Sequence, residues 1–507
     1  MRITRKEFFE ITGRGAVAAS VLPAVMAGTG QDVSAQTPPA KPLPTKGVTA
    51  DVVKFITSTG LSQVPADVVA QGKRCLIDGF GVMLAGLTTP GSRIVHDYIQ
   101  AVGGKGEATL LGAGRLKAPV EYAALANGAY GHAMDFDDTQ LSTTPDRTYG
   151  LLTHPTIPAL ASALAVAESR GATGAQFLEA FLVGFEVECK ISEAINPDHY
   201  NKGWHSTATV GTFAGVGATA RLLKMDARAV GHALSIAASL AAGIRVNFGT
   251  MTKPLHAGRA AQNGVFASLL ASRGFTGGDD GLDGQWGYFQ VAGPGADAAR
   301  ISGVLGKPWT IVNPGISVKP YPSGVLSHPT MDAVLKVVKA HDIKPEQVQK
   351  VTVRAGSNIL EPLRYKTART ELEAKFCIPF LVSSILLRRK AGIREFTDEF
   401  VSSEPVQKMM PLVEAKFDQA IEAKGFDRIR SVIEIVLKDG RTFVEPSDEK
   451  YRGGPDNPFT REDLHEKFTD CASLALPAAR ITEALDLIEK VETLPSVSAL
   501  IAAMTTA

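Results

Sequence analysis

Little in this chain advertises a thiolate metal centre, a nucleic acid or a nucleotide. Its four cysteines, Cys75, Cys189, Cys377 and Cys471, lie far apart and form no CxxC pair, which argues against a zinc site made of them and leaves isolated buried thiols. The net charge is only +1, so no polyanion-binding surface is implied. Aromatic residues make up 7%, too few for base-stacking platforms. No GxGxxG opens a βαβ unit, so a dinucleotide site is unsupported. Gly103-Gly104-Lys105-Gly106 lacks the spacing and the Ser or Thr of a phosphate loop and reads as a turn. There is no GxSxG elbow and no HExxH, which sets aside the usual hydrolase and zinc-peptidase routes.

What is present is an ordinary globular balance, 45% hydrophobic and 21% charged, spread over 507 residues. That length exceeds one typical core, so at least two domains are expected. High Gly and Ala content favours helices that approach closely. Residues 1–35 have the order of an export signal: Thr4-Arg5-Lys6-Glu7-Phe8-Phe9, a mild apolar run from Gly15 to Gly28, then Val33-Ser34-Ala35 as a small-residue cleavage site. The Arg5-Lys6 pair before Phe8 resembles a twin-arginine signal with its second arginine replaced by lysine. A proline-rich spacer, residues 36–47, follows. No other stretch is long and apolar enough to span a bilayer, so the expectation is a periplasmic protein without membrane insertion once the signal is removed. Disulfides are permitted there, but sequence cannot pair these cysteines.

From about Thr49 to Gly274 the pattern is one helix after another. Helices are expected from Pro65 toward Leu84, from Pro119 into His132, from Pro155 to Gly171, and from Gly174 to Ile195. Others follow at Ser206 to Leu223, Asp226 to Ala242 and Ala257 to Ser272. The texture changes after residue 310. Val348–Arg354 alternates as a strand does, and Ser431–Leu437, Lys438-Asp439-Gly440-Arg441 and Thr442–Val444 read as a hairpin on an Asp-Gly turn. Helices around His328–Ala340 and Glu371–Arg389 lie between. The expected fold is mainly α: an all-helical domain over 48–312, a smaller α+β domain over 313–455, and helices at 456–507 that rejoin the first domain.

The most informative segment is Gly128-Ala129-Tyr130-Gly131-His132-Ala133-Met134-Asp135-Phe136-Asp137-Asp138-Thr139, which ends one of these helices. Three aspartates within four residues repel one another, and burial raises the cost unless cations or donors neutralise them. Either this is a site that uses perturbed carboxylates, or it is a solvated acidic turn. On a continuous helix His132, Asp135 and Thr139 would share one face, with Asp137 and Asp138 turned elsewhere as structural members. Asp135-Phe136-Asp137-Asp138 matches the DxDD pattern of some helical terpene cyclases, but few rings accompany it. A Mg²⁺ site would suit the carboxylates, but no second acidic motif completes one. His154 in Thr153-His154-Pro155, His205 in Gly203-Trp204-His205-Ser206-Thr207 and Lys253 in Met251-Thr252-Lys253-Pro254-Leu255-His256-Ala257-Gly258 each stand just ahead of an expected helix. Free N–H groups and a positive helix end there favour carboxylates or phosphates. Lys319, in Val318-Lys319-Pro320-Tyr321-Pro322-Ser323, is a fourth candidate on a proline-stiffened loop.

Together and in this order, these segments resemble the MmgE/PrpD family, which includes 2-methylcitrate dehydratase, cis-aconitate decarboxylase and iminodisuccinate epimerase. The likeness runs from about residue 48 to near the C-terminus. It implies a helical domain built from both ends of the chain with an inserted α+β lid. It also implies a homodimer, a small polycarboxylate as substrate, no nucleic acid, and catalysis without metal or organic cofactor. Carried over residue by residue, the family's catalytic positions fall on Asp135, Thr139, His154 and His205, and its substrate-binding lysines on Lys253 and Lys319. Two departures stand out. Phe380 replaces a lid tyrosine of cis-aconitate decarboxylase, removing a proton donor, and the link at 140–152 is long.

The chemistry so implied makes and quenches a carbanion-like centre beside a carboxylate. His154 or Asp135 would be the base, His205 an acid on the opposite face, and the lysines would hold carboxylates and developing enolate charge. Dehydration of a hydroxy-acid is the first expectation. An epimerase of a small dicarboxylate needs the same parts, and a catalytically silent periplasmic carboxylate-binding relative would keep them without turnover.

Overall fold

A computed structural model of the chain describes residues 47–144, 147–425 and 428–506. The export signal over 1–35 and all of the 36–47 spacer except Gly47 lie outside the described residues. The fold is mainly α with a few small sheets. Helices α1 (Ala66–Gly86), α2 (Val120–Ala133), α3 (Thr156–Arg170), α4 (Gly174–Ile195), α5 (Ser206–Leu223) and α6 (Thr252–Ala271) form the larger helical assembly.

Small residues set how these helices meet. A Cβ on Gly128 would lie 2.7 Å from Gly258 Cα, and one on Gly258 would lie 2.3 Å from the Leu125 carbonyl oxygen. Helices α2 and α6 therefore cross in backbone contact, which no larger residue permits. This crossing brings the start of α6, with Lys253, against the end of α2, with His132. Helix α6 begins at Thr252 rather than Ala257, so Lys253 sits in its first turn and not ahead of it. Pro254 is tolerated there because first-turn amides need no intrahelical partner.

The long link after the aspartates is a two-stranded antiparallel hairpin, β1 (Gln140–Thr144) with β2 (Arg147–Thr153). Buried polar groups of α4 hold it. Gln140 donates to Glu193 at 2.8 Å, Thr153 to Glu188 at 2.5 Å, and Ser192 to the Leu152 carbonyl at 2.9 Å. Burial pushes the Glu188 and Glu193 carboxyls up. The hairpin ends at Thr153 and so delivers His154 to the interior.

The second core surrounds a four-stranded sheet. It contains β3 (Val348–Ala355), β4 (Val413–Phe417), β5 (Ser431–Leu437) and β6 (Thr442–Pro446), in the order β4-β3-β5-β6. Only the β3–β4 pair is parallel. Strand β5 buries alternate residues, Ser431, Ile433, Ile435 and Leu437, as a one-faced strand does. The His328–Ala340 and Ile378–Arg388 helices cover that face. The expected single helix over 371–389 is two, Glu371–Ala374 and Ile378–Arg388, broken just before Pro379 opens the second. A later helix, α7 (Arg461–Ala472), returns to α1, where Lys467 Nζ lies 2.6 Å from Asp78 Oδ1 in a buried ion pair.

Candidate functional site

Helix α2 stops at Ala133, and Asp135 takes a left-handed conformation with φ of 50°. The expected single helical face through His132, Asp135 and Thr139 is therefore not formed. The turn instead spreads the acidic residues in different directions. Thr139 leaves the turn as extended chain, exchanging backbone hydrogen bonds with Ser317 at 2.9 and 2.8 Å. That bridge fixes the strand carrying Lys319 two residues later.

Asp135 lies between the two lysines. Its Oδ1 accepts from Lys253 Nζ at 2.7 Å and from Lys319 Nζ at 3.0 Å, while its carbonyl accepts from Lys319 at 2.8 Å. Burial works against its charge, but Lys253 and then Lys319 outweigh it and hold the carboxyl well below the usual range. Among the described residues its other oxygen, Oδ2, is buried with no partner, as are Thr139 Oγ1 and His205 Nε2. An ammonium has three donors. Lys253 spends one on Asp135 and one on His132 Nε2 at 2.8 Å, and Lys319 spends two on Asp135, so one N–H of each is left for a ligand.

Asp137 is not the outlying member that helical spacing suggests. It is fully buried and its oxygens lie 2.8 and 2.9 Å from His132 Nδ1. Because His132 Nε2 accepts from Lys253, its proton is on Nδ1 and is donated to Asp137. Asp138 does act structurally. It accepts from the Thr156 hydroxyl at 2.6 Å and the Thr156 amide at 3.3 Å, covering the start of α3. Burial, with Asp78 and Asp137 nearby, pushes its carboxyl up to about 8.

His154 is fixed by the same turn. Its Nδ1 lies 2.9 Å from the Asp138 carbonyl oxygen, an acceptor only, so Nδ1 carries the proton and Nε2 the lone pair. Burial, then Lys319, His132 and Lys253, hold it well below the ordinary histidine value despite Asp137, so the ring is neutral. His205 caps α5 and packs its ring edge-on to Phe248 at 5.0 Å. Its Nδ1 lies 3.0 Å from His256 Nδ1. Burial, then Lys253, His132 and His256, hold it low as well.

His132, His154 and His205 place nitrogens within 4.8 Å of one another, spacing that metal ligands also use. Both nitrogens of His132 already have partners, however, and two ammoniums stand beside Asp135. The donor set suits proton transfer and anion binding better than a divalent cation. Asp135, His154, Lys253 and Lys319 line a small cavity of about 30 Å³, walled on its apolar side by Phe248 and Phe376. A larger cavity of about 470 Å³, beside Ala133, Met134 and Pro254, holds none of these groups.

Of the sequence-derived residues, Asp135, His154, Lys253 and Lys319 thus line one cavity and His205 stands beside His132 and His154, whereas Thr139 runs into the bridge with Ser317 and does not line the cavity. Helical spacing sets Asp137 aside, names His132 on the site face without giving it a role, and says nothing of His256, whose partner is remote in sequence. Tyr200, on the cavity wall, was also missed; burial raises its phenol, so it keeps its proton. Phe380 lies in the second core against Phe396 and Phe400.

The MmgE/PrpD N-terminal domain matches residues 50–301, and the MmgE/PrpD C-terminal domain matches residues 321–492. The cis-aconitate decarboxylase of Homo sapiens is 28% identical over 466 residues, covering 90% of this chain and 94% of that protein. That of Aspergillus terreus is 26% identical over 486 residues, covering 90% and 95%. The cis-aconitate decarboxylase-like protein oryM of Aspergillus oryzae is 26% identical over 482 residues, covering 90% and 97%.

Proposed function

The chain belongs to the MmgE/PrpD family, and from that membership we propose that it is a lyase acting on a small tricarboxylic acid. The observation that carries this reading is a neutral His154 with a free Nε2 lone pair beside the Lys253–Asp135–Lys319 cluster in one cavity. Held low by two ammoniums, Asp135 is a poor base and a good anchor for them. His154 Nε2 takes the proton next to a substrate carboxylate. The spare N–H of each lysine holds that carboxylate as negative charge develops on it, in a buried setting where such bonds count most. His205 Nε2, unpartnered beside His132 among the described residues, returns a proton to carbon or to a departing hydroxyl.

Dehydration uses both histidines and remains the first assignment. Decarboxylation is the second, favoured by relatives that carry that name. It needs the same lysines for the developing charge and one histidine to protonate the product carbon. Export through residues 1–35 and assembly as a homodimer belong to the proposal, checked by cell fractionation and light scattering.

The deciding experiment incubates the purified protein with cis-aconitate, citrate and 2-methylcitrate in D₂O and follows them by NMR. A new alkene without bicarbonate supports dehydration. Bicarbonate with a deuterated product supports decarboxylation. Exchange with inversion alone indicates an epimerase, and binding without turnover indicates a carboxylate-binding relative; either contradicts the lyase reading.

A further inference from the structure

His205 is fully buried, whereas its partner His256 keeps 7% exposure. Their Nδ1 atoms are 3.0 Å apart, and His205 Nε2 has no partner among the described residues. Two neutral imidazoles sharing one Nδ1–Nδ1 hydrogen bond must divide the roles: one donates and the other accepts. If His256 donates, His205 holds its proton on Nε2, the atom left unpartnered beside the histidine cluster. We propose that His256 is a positioning and relay residue: it sets His205 as the Nε2–H tautomer and carries protons to it from solvent. This inference rests on the reading of His205 as the acid.

The relay balances without any change of charge. His205 gives its Nε2 proton to the substrate as it receives the His256 Nδ1 proton on its own Nδ1. His256 takes a proton from water on Nε2, and the hydroxide left is neutralised by the proton that His154 took from the substrate and releases to solvent. Both rings end neutral with tautomers reversed, and the pair resets by ring reorientation or by running backwards. Neutrality throughout matters here, because an imidazolium would sit close to charge of its own sign. His205 faces Lys253, His132 and His154 as well as His256, and His256 faces His132 and Lys253. Burial and these neighbours hold His256 to about 4. The arrangement resembles a buried wire whose inner ring, His205, is fully buried and whose outer ring, His256, keeps 7% exposure.

The test uses the full-length protein with His256→Gln and His256→Ala. A glutamine amide can still donate to His205 Nδ1 but cannot pass a proton on. The expected result is a roughly 10- to 100-fold fall in kcat for both, within the usual worth of a proton-transfer group, with KM changed less than about threefold. In His256→Ala, kcat should rise with imidazole buffer concentration at fixed pH, which the wild type should not show. Selective ¹⁵N-histidine NMR reads the tautomer without substrate: His205 should carry its proton on Nε2 in the wild type and in His256→Gln. That readout stands even if none of the tricarboxylates is turned over, which separates failure of this inference from failure of the lyase reading. Wild-type kcat in both variants, loss of kcat without buffer rescue, or an Nδ1–H tautomer at His205 would overturn it.

Discussion

Each histidine in the cluster owes its protonation state to one identifiable neighbour. The Asp138 carbonyl holds the proton of His154 on Nδ1, and Lys253 forces that of His132 onto the same atom. Burial and the lysines hold His154 well below the ordinary histidine value, so its ring is neutral and, on the proposed reading, able to act as a base. Lowering a base's pKa moves the acid limb of the rate profile downward. The kcat/KM profile should therefore stay flat as pH falls past about 6.5, the unperturbed value, and decline only below it. A midpoint at or above that value would show His154 to be ordinary or another group to be the base. The tyrosine-to-phenylalanine departure is also testable. Phe380 is enclosed by Phe396 and Phe400, so Phe380→Tyr places a hydroxyl among rings. It should lower stability by about 1–3 kcal/mol, seen in Tm, without raising turnover. Increased kcat would show that the ring reaches the substrate.

At the level of elements, two local arrangements hold the site. The α2–α6 crossing depends on Gly128 and Gly258, so Gly258→Ala would drive a Cβ to 2.3 Å from the Leu125 oxygen. The helices must part, at a cost of about 1–3 kcal/mol. Lys253 moves with α6, so Tm and kcat should fall together; an unchanged kcat would mean that Lys253 is not positioned by this contact. The second arrangement is Asp138 at the start of α3. Its carboxyl, pushed up to about 8, keeps a proton in the folded chain that the unfolded chain releases near pH 4. The folded state binds more protons between these values, so stability falls as pH rises through them, by at most about 1.4 kcal/mol per pH unit. Asp138→Asn removes this titration and keeps a capping side chain. Its Tm should drop less than that of the wild type between about pH 5 and about pH 8. Equal slopes would contradict the assignment.

Across the whole molecule, what sequence reveals depends on how local the cause is. The strand at 348–354, the Asp-Gly hairpin and the ends of α4 and α5 were legible because periodicity and turn chemistry act within a few residues. Asp135, His154, His205, Lys253 and Lys319 were legible as separate motifs. Their pairing was not, because helical spacing was carried past Ala133, where the chain turns left-handed at Asp135. His256 was invisible as a partner because the contact to His205 spans 51 residues and depends on the helix crossing. The first helical assembly supplies the histidines, Asp135 and Lys253, while Lys319 and Phe376 come from the later part of the chain. On the proposed reading, His154 moves a proton on an acid held by Lys253 and Lys319. It is tested most directly by ¹³C NMR of the tricarboxylate panel with the wild type and a folded His154→Ala variant. The account predicts turnover by the wild type and a loss of about 10²–10⁴-fold in the variant, with unchanged circular dichroism. No acid consumed by the wild type, or a folded variant as active as the wild type, would contradict it.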